Sequence, residues 1–169
     1  MTPLPAALDP SAAPVAWRLD HLRYSDTWDS GVGAERLGGR WNPKGFRCVY
    51  CSIDPSTCIV EAAVHRGFNV LDTRPHILTS FAISDPTQVR VVRPNEVPNP
   101  AWLHGGIPSA GQQQWGAALL RAHSFVVFPS AVSKLTWNLV FEPGAATGKY
   151  ALRSQDRLVL DTRLNPPGP

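Results

Sequence analysis

Three residues in the first part of the chain have the types and settings that site chemistry requires. Arg40 follows Gly38-Gly39, and paired glycines let backbone and ligand approach closely. A guanidinium there is a rigid fork matched to phosphate oxygens, or equally to a structural salt bridge. Tyr50 lies within Arg47-Cys48-Val49-Tyr50-Cys51. This short run reads as a strand, so the ring belongs either to the core or to a binding face. Glu61 stands among Ile59, Val60, Ala62, Ala63 and Val64 on a predicted helix. A carboxylate in such company either faces solvent or has a partner and a task.

Other chemical motifs fail on spacing. Cys48-x-x-Cys51, with Cys58 and His65, could be drawn as a zinc set. Positions three apart in a strand point to opposite faces, so the two cysteines should diverge as buried structural thiols. Gly31-Val32-Gly33 is followed by Arg36 where a dinucleotide fingerprint needs its third glycine. Gly144 and Gly148-Lys149 are separated by three residues rather than four, with Tyr150 in place of the magnesium-binding Ser/Thr. A plain turn is expected over 144–148. No Gly-x-Ser-x-Gly elbow and no His-Glu-x-x-His helix occurs.

The elements that must position these residues are legible in outline. Alternating and β-branched runs predict strands over 15–19, 47–51, 76–83, 88–92, 124–128, 137–141 and 157–161. Asp54 as N-cap and Pro55 as first helical residue open a helix to about Arg66, closed by Gly67. Its residues Cys58, Ala62 and His65 share one face. A second helix is expected over 112–123, with Trp115, Ala118 and Leu119 facing inward. Residues 25–39 and 94–111 read as loops, being rich in Gly or in Pro and Gly. Six or seven strands with two helices, not regularly alternating, indicate an α+β domain rather than a doubly wound parallel sheet.

Composition bounds the classes. A chain of 169 residues suits one domain. Its 13 glycines and 17 prolines exclude a helical bundle or coiled coil. Net charge is only +3, and no Lys/Arg run of five occurs, so nothing asks for nucleic acid. No apolar run approaches the ~18 residues of a membrane span. Residues 1–14 are Pro- and Ala-rich without a basic start, which reads as a loose leader rather than a secretory signal. Three closely spaced cysteines argue against a disulfide framework and for a reducing cytoplasm.

Five stretches, taken in order, resemble one family. They are Gly39-Arg40-Trp41-Asn42, Val49-Tyr50-Cys51-Ser52, Glu61 with His65, Phe128-Pro129-Ser130-Ala131-Val132, and Trp137-Asn138-Leu139. With the ending Leu160-Asp161-Thr162-Arg163-Leu164, they make residues 15–165 resemble a single RES domain, the toxin half of bacterial RES–Xre toxin–antitoxin pairs. The resemblance implies an α+β fold like the ADP-ribosyltransferase domain of diphtheria toxin: a split mixed or antiparallel β-sheet with flanking helices. It implies NAD+ as substrate and no metal. Cleavage of the nicotinamide–ribose bond would hand ADP-ribose to water, to phosphate or to a protein side chain.

The same resemblance assigns roles. Arg40 would hold a phosphate or ribose of NAD+, and Tyr50 would stack on the nicotinamide. Glu61 would accept a ribose hydroxyl and set negative charge beside the forming cation, with Ser130 and Asn138 completing the polar lining. An Xre-like helix-turn-helix antitoxin is the implied partner, homodimer formation is compatible with the family, and neither membrane nor nucleic acid is expected as a partner. Trp28 and Trp102 would serve either partner contact or the core. The sequence departs from the family after Asn138: Val140-Phe141-Glu142-Pro143-Gly144-Ala145 stands where Leu-Asn-Pro-x-His-Pro is usual. Two further readings share these residues: a mono-ADP-ribosyltransferase acting on a specific protein, and a non-enzymatic partner-binding module.

Overall fold

The computed structural model describes residues 13–164, so most of the expected leader lies outside the described residues. Seven strands occur among them: β1 (Val15–His21), β2 (Val49–Ser52), β3 (His76–Ile83), β4 (Val89–Val91), β5 (Phe125–Pro129), β6 (Trp137–Phe141) and β7 (Tyr150–Leu158). Five α-helices accompany them: α1 (Val32–Leu37), α2 (Pro55–Arg66), α3 (Phe68–Thr73), α4 (Ala110–Ala122) and α5 (Pro143–Ala146). The strands form one sheet in the order β4-β5-β6-β2-β1-β3-β7. Only β4 and β5 pair in parallel; every other neighbour is antiparallel.

The sheet is split. β1 pairs with β3 from Val15↔Ala82 to His21↔His76, and β2 pairs with β6 from Val49↔Phe141 to Ser52↔Asn138. Between β1 and β2 there is a single pair, Trp17↔Ser52. Where these two strands part, a side chain takes the place of the missing ladder. Arg18 Nη1 donates to the Tyr50 carbonyl at 2.7 Å, and Nη2 donates to Asp20 Oδ1 at 3.0 Å. Backbone acceptors turned into such a gap need a donor, and the guanidinium supplies it. This is the split α+β arrangement that the resemblance implied.

Burial follows strand alternation. Phe125 and Val127 face one core cluster with Phe81, Phe141 and Trp137, while Val126 and Phe128 face another with Trp41, Val140 and Leu120. β5 is therefore apolar on both faces, which explains its unbroken hydrophobic run. A third cluster joins Leu19 of β1 to Cys58, Ala63 and Leu71 beneath α2 and α3. Cys51 belongs to the first cluster and Cys48 to the second, so the two thiols do diverge. Burial pushes the Cys48 and Cys58 thiols up to about 12 and holds Cys51 well above its ordinary value.

Several expectations need correction. Residues 25–39 contain the short helix α1, and Phe68–Thr73 forms α3 where the sequence pattern predicts no helix. The last strand is Tyr150–Leu158, not 157–161. It is an edge strand with mostly exposed residues, so it lacks the apolar alternation that marks a strand. The turn at 144–148 begins with α5, capped by Glu142, whose carboxylate accepts from the Gly144 and Ala145 amides. The departed loop thus keeps Phe141 in the core and uses Glu142 as a cap. On α4, Ala118 is exposed, and the buried face runs through Gln112, Gly116, Ala117 and Leu120. Gly116 sets that face, because a Cβ there would meet the Trp41 carbonyl at 2.4 Å. Trp28 is buried against Phe81, with ring centroids 5.0 Å apart, and is a core residue rather than a partner contact. Trp102 packs half-buried on the second cluster.

Candidate active site

Asp54 and Pro55 start α2 as expected. The Asp54 carboxylate accepts from the Thr57 amide at 2.8 Å and from its hydroxyl at 2.6 Å. The helix lies over β1 and β2 with Thr57 and Cys58 buried, and Glu61, one turn further on, half-buried. Two donors reach Glu61 from the end of β5 and from β6, more than sixty residues away. The Ser130 hydroxyl donates to Oε1 at 2.7 Å, and Asn138 Nδ2 donates to the same oxygen at 2.5 Å. Ser130, just past β5, is itself fixed, since its oxygen accepts from the Val132 and Ser133 amides. Its one proton is therefore committed to Glu61. Among the described residues no donor reaches Glu61 Oε2.

A second assembly holds Arg40. The Tyr50 hydroxyl donates to Asn42 Oδ1 at 2.7 Å and accepts from the Trp41 amide at 2.9 Å. Asn42, fully buried, donates through Nδ2 to the carbonyls of Ala34, Pro43 and Phe46. Gln113 of α4 donates to the Gly39 carbonyl at 2.9 Å. The glycine is required here by close approach: a Cβ on Gly39 would sit 2.5 Å from the Tyr50 hydroxyl. Trp41 stacks on Phe128 at 4.4 Å between ring centroids. Burial holds the Tyr50 phenol well above its ordinary range, so it stays a neutral donor. Between these anchors Arg40 is half-buried, and its Nη1 donates to the carbonyls of Trp102 and His104 at 3.1 and 3.0 Å.

Both assemblies open into one cleft of about 960 Å³, lined among others by Arg18, Arg40, Tyr50, Ser52, Glu61 and Asn138. The structure thus brings Arg40, Tyr50, Glu61 and Asn138 to one cavity and sets Ser130 behind Glu61, buried. Cys58, Ala62 and His65 do share a face, but it is the cleft face, and His65 is exposed at the rim. Three residues with parts in this geometry received no role from sequence reasoning. Arg18 bridges the split, Asn42 anchors the Arg40 loop, and Ser52 donates to Asn138 Oδ1 at 2.9 Å. A charged residue in the middle of a predicted strand was the available signal for Arg18. Asn42 and Ser52 stand inside the motifs that resemble the family, where nothing local distinguishes them from their neighbours.

Fold and site define a class: an α+β domain with a split, mostly antiparallel sheet and a cleft bearing arginine, tyrosine and glutamate. Within it the chain belongs to the RES domain family, whose model matches residues 15–161. It is 28% identical over 158 residues to a Photorhabdus laumondii protein named Toxin Res, covering 89% of this chain and 96% of that one. A Yersinia enterocolitica protein, also named Toxin Res, is 42% identical over 50 residues, 29% of this chain and 32% of the relative. Among solved structures, a chain of the M. tuberculosis MbcT–MbcA toxin–antitoxin complex superposes with a TM-score of 0.67. It is 22% identical, and the match covers 88% of this chain and 85% of that one, which establishes the shared fold.

Proposed function

We propose that this protein is the toxin of a bacterial toxin–antitoxin pair, and that it binds NAD+ in the cleft and breaks the nicotinamide–ribose bond. The observation that carries the reading is Glu61 at the cleft wall, with one carboxylate oxygen taken by Ser130 and Asn138 and the other left for a ligand. Two cleft arginines, Arg40 and Arg66, suit the charge of a dinucleotide pyrophosphate, whereas Arg18 is taken by Asp20 and the Tyr50 carbonyl. Cleavage sends the C1′–N electron pair to nicotinamide, which leaves neutral without a base. An oxocarbenium-like ribose remains, and a fixed carboxylate stabilises it best when its position needs no reorganisation. Water or inorganic phosphate then supplies the oxygen that bonds to C1′, a water giving up its proton.

In this reading Arg40 binds phosphate or ribose through the parts of its guanidinium that do not hold the 102–104 loop. Tyr50 presents its ring to the nicotinamide while its hydroxyl holds the loop in place. Relatives named as toxins and a fold shared with a chain from a toxin–antitoxin complex support an antitoxin partner; we read it as an Xre-like helix-turn-helix protein acting with this chain in the cytoplasm.

The test is nicotinamide release from NAD+ by the purified chain, with and without inorganic phosphate, beside Glu61→Gln and Arg40→Ala. We expect release to fall by roughly 100-fold or more in Glu61→Gln, the scale on which a preorganised charge-stabilising group acts. Phosphate-dependent release would name a phosphorylase. Release by Glu61→Gln at the wild-type rate overturns the assignment, and ADP-ribose found attached to a protein instead would make the chain a transferase.

A further inference from the structure

We propose that Ser52 is a positioning residue for this cleavage, holding the Asn138 amide in the one orientation that donates to Glu61. The proposal rests on the reading of the reaction given above. Ser52 is 3% exposed and lies directly opposite Asn138 in the β2–β6 ladder. Opposed residues of an antiparallel pair carry their side chains on the same face, with Cβ atoms about 5 Å apart. The Ser52 hydroxyl donates to Asn138 Oδ1 at 2.9 Å, and Asn138 Nδ2 donates to Glu61 Oε1 at 2.5 Å.

The direction of this relay follows from its chemistry. A carboxylate only accepts, so Glu61 needs the Nδ2 end of the amide, and Oδ1 must then find a donor on the other side. Among the described residues, Ser52 is the donor it has. The two ends of an asparagine amide are nearly the same in shape. Sterics alone therefore would not prevent a half-turn that sets Oδ1 against Glu61 Oε1, acceptor on acceptor. Ser52 is also well placed to hold still. Its residue forms the single β1–β2 pair, Trp17↔Ser52, as well as the last β2–β6 pair, so both halves of the sheet fix its backbone.

Without that hydroxyl, Asn138 Oδ1, half-buried at the cleft wall, loses its protein donor, and the amide is then free to turn or to take a water in its place. Glu61 then loses a fixed donor, while Arg40 and Tyr50, the residues assigned to the phosphate or ribose and to the nicotinamide, keep their own contacts. The turnover number should suffer and the binding term should not.

The experiment compares wild-type chain, Ser52→Ala and Ser52→Thr by kcat and KM for nicotinamide release, by Tm, and by NMR exchange of the Asn138 side-chain amide protons. Ser52→Ala should lose roughly tenfold or more in kcat, about what a well-made hydrogen bond to a charged system represents, with KM within about twofold. Its Asn138 amide protons should exchange faster than in wild type, and Ser52→Thr, which keeps the hydroxyl, should recover both readouts. A Ser52→Ala protein with lowered Tm but wild-type kcat and unchanged exchange overturns the proposal. If wild-type chain releases no nicotinamide, the reading of the reaction fails. The exchange measurement then still decides the proposal: unchanged protection in Ser52→Ala refutes it, and faster exchange restored by Ser52→Thr upholds the positioning of Asn138.

Discussion

Glu61 and Tyr50 illustrate how single polar side chains are kept inside an apolar domain. Each is held by specific partners: Glu61 receives two donors on one oxygen, and the Tyr50 hydroxyl gives to Asn42 and takes from Trp41. Asn42 holds the most connected position. Its side chain joins the carbonyls of Ala34 in α1 and of Pro43 and Phe46 in the following loop to the Tyr50 hydroxyl while fully buried. Asn42→Ala takes the partner from the Phe46 carbonyl and from the Tyr50 hydroxyl proton, while the Ala34 and Pro43 carbonyls keep the Gly38 and Phe46 amides, and each stranded group costs about 1–3 kcal/mol. We expect a loss of about 3 kcal/mol, read as a Tm drop of roughly 6–12 °C by calorimetry. Nicotinamide release should fall as well, because the loop it anchors carries Arg40. A folded Asn42→Ala protein with wild-type Tm would show that the loop is held by other contacts.

At the scale of elements, the site is made where a helix touches a loop or a strand end. α4 matters less for its own residues than for how near it comes to Trp41. A Cβ on Gly116 would lie 2.4 Å from the Trp41 carbonyl and 2.7 Å from its Cα, both backbone atoms that cannot turn aside. Gly116→Ala should therefore push the Arg40–Trp41 segment off its seat. Overpacking of this kind costs about 1–3 kcal/mol, even though alanine is the better helix former. Chemical denaturation would measure the loss, and nicotinamide release should fall with it. A Gly116→Ala protein as stable and as active as wild type would mean that α4 can move away freely.

For the molecule as a whole, the split sheet is the decisive feature. Two ladders share the single pair Trp17↔Ser52, and the opening between them carries Arg18, whose Nε lies 2.6 Å from Asp20 Oδ2. Burial works against the Arg18 charge, and the Asp20 carboxylate, by charge and by hydrogen bond, is the chief group that offsets it and holds the guanidinium protonated. Arg66 stands 3.8 Å from Asp20 Oδ1 as a second cation. Arg18→Ala leaves the Tyr50 carbonyl without its donor and Asp20, 4% exposed, with only that weaker partner. Breaking a buried pair from one side costs about 3–5 kcal/mol, and Arg66 should keep the loss near the lower figure. Urea unfolding reads it directly. A loss below about 1 kcal/mol would show that the pair behaves as a surface salt bridge and that the halves need no bridge.

Local signals were enough for part of this. Asp54, Pro55 and Gly67 bound α2 through backbone capping that needs only near neighbours, and the unbroken apolar run of β5 and the nearly continuous one of β6 show where the core lies. The family motifs also located Arg40, Tyr50, Glu61, Ser130 and Asn138, four of which line one cleft with the fifth behind it. By contrast, β7 carries no apolar stripe because it lies on an edge, and α4 buries Gly116 rather than Ala118 because of the approach of Trp41. The roles of Arg18, Asn42 and Ser52 depend on partners that only chain folding brings near: the Ser52–Asn138 bond joins residues 86 positions apart. Residue types and short spacings are properties of neighbours along the chain. Which hydroxyl faces which amide depends on strand register across a split sheet, and that register exists only once the sheet has formed.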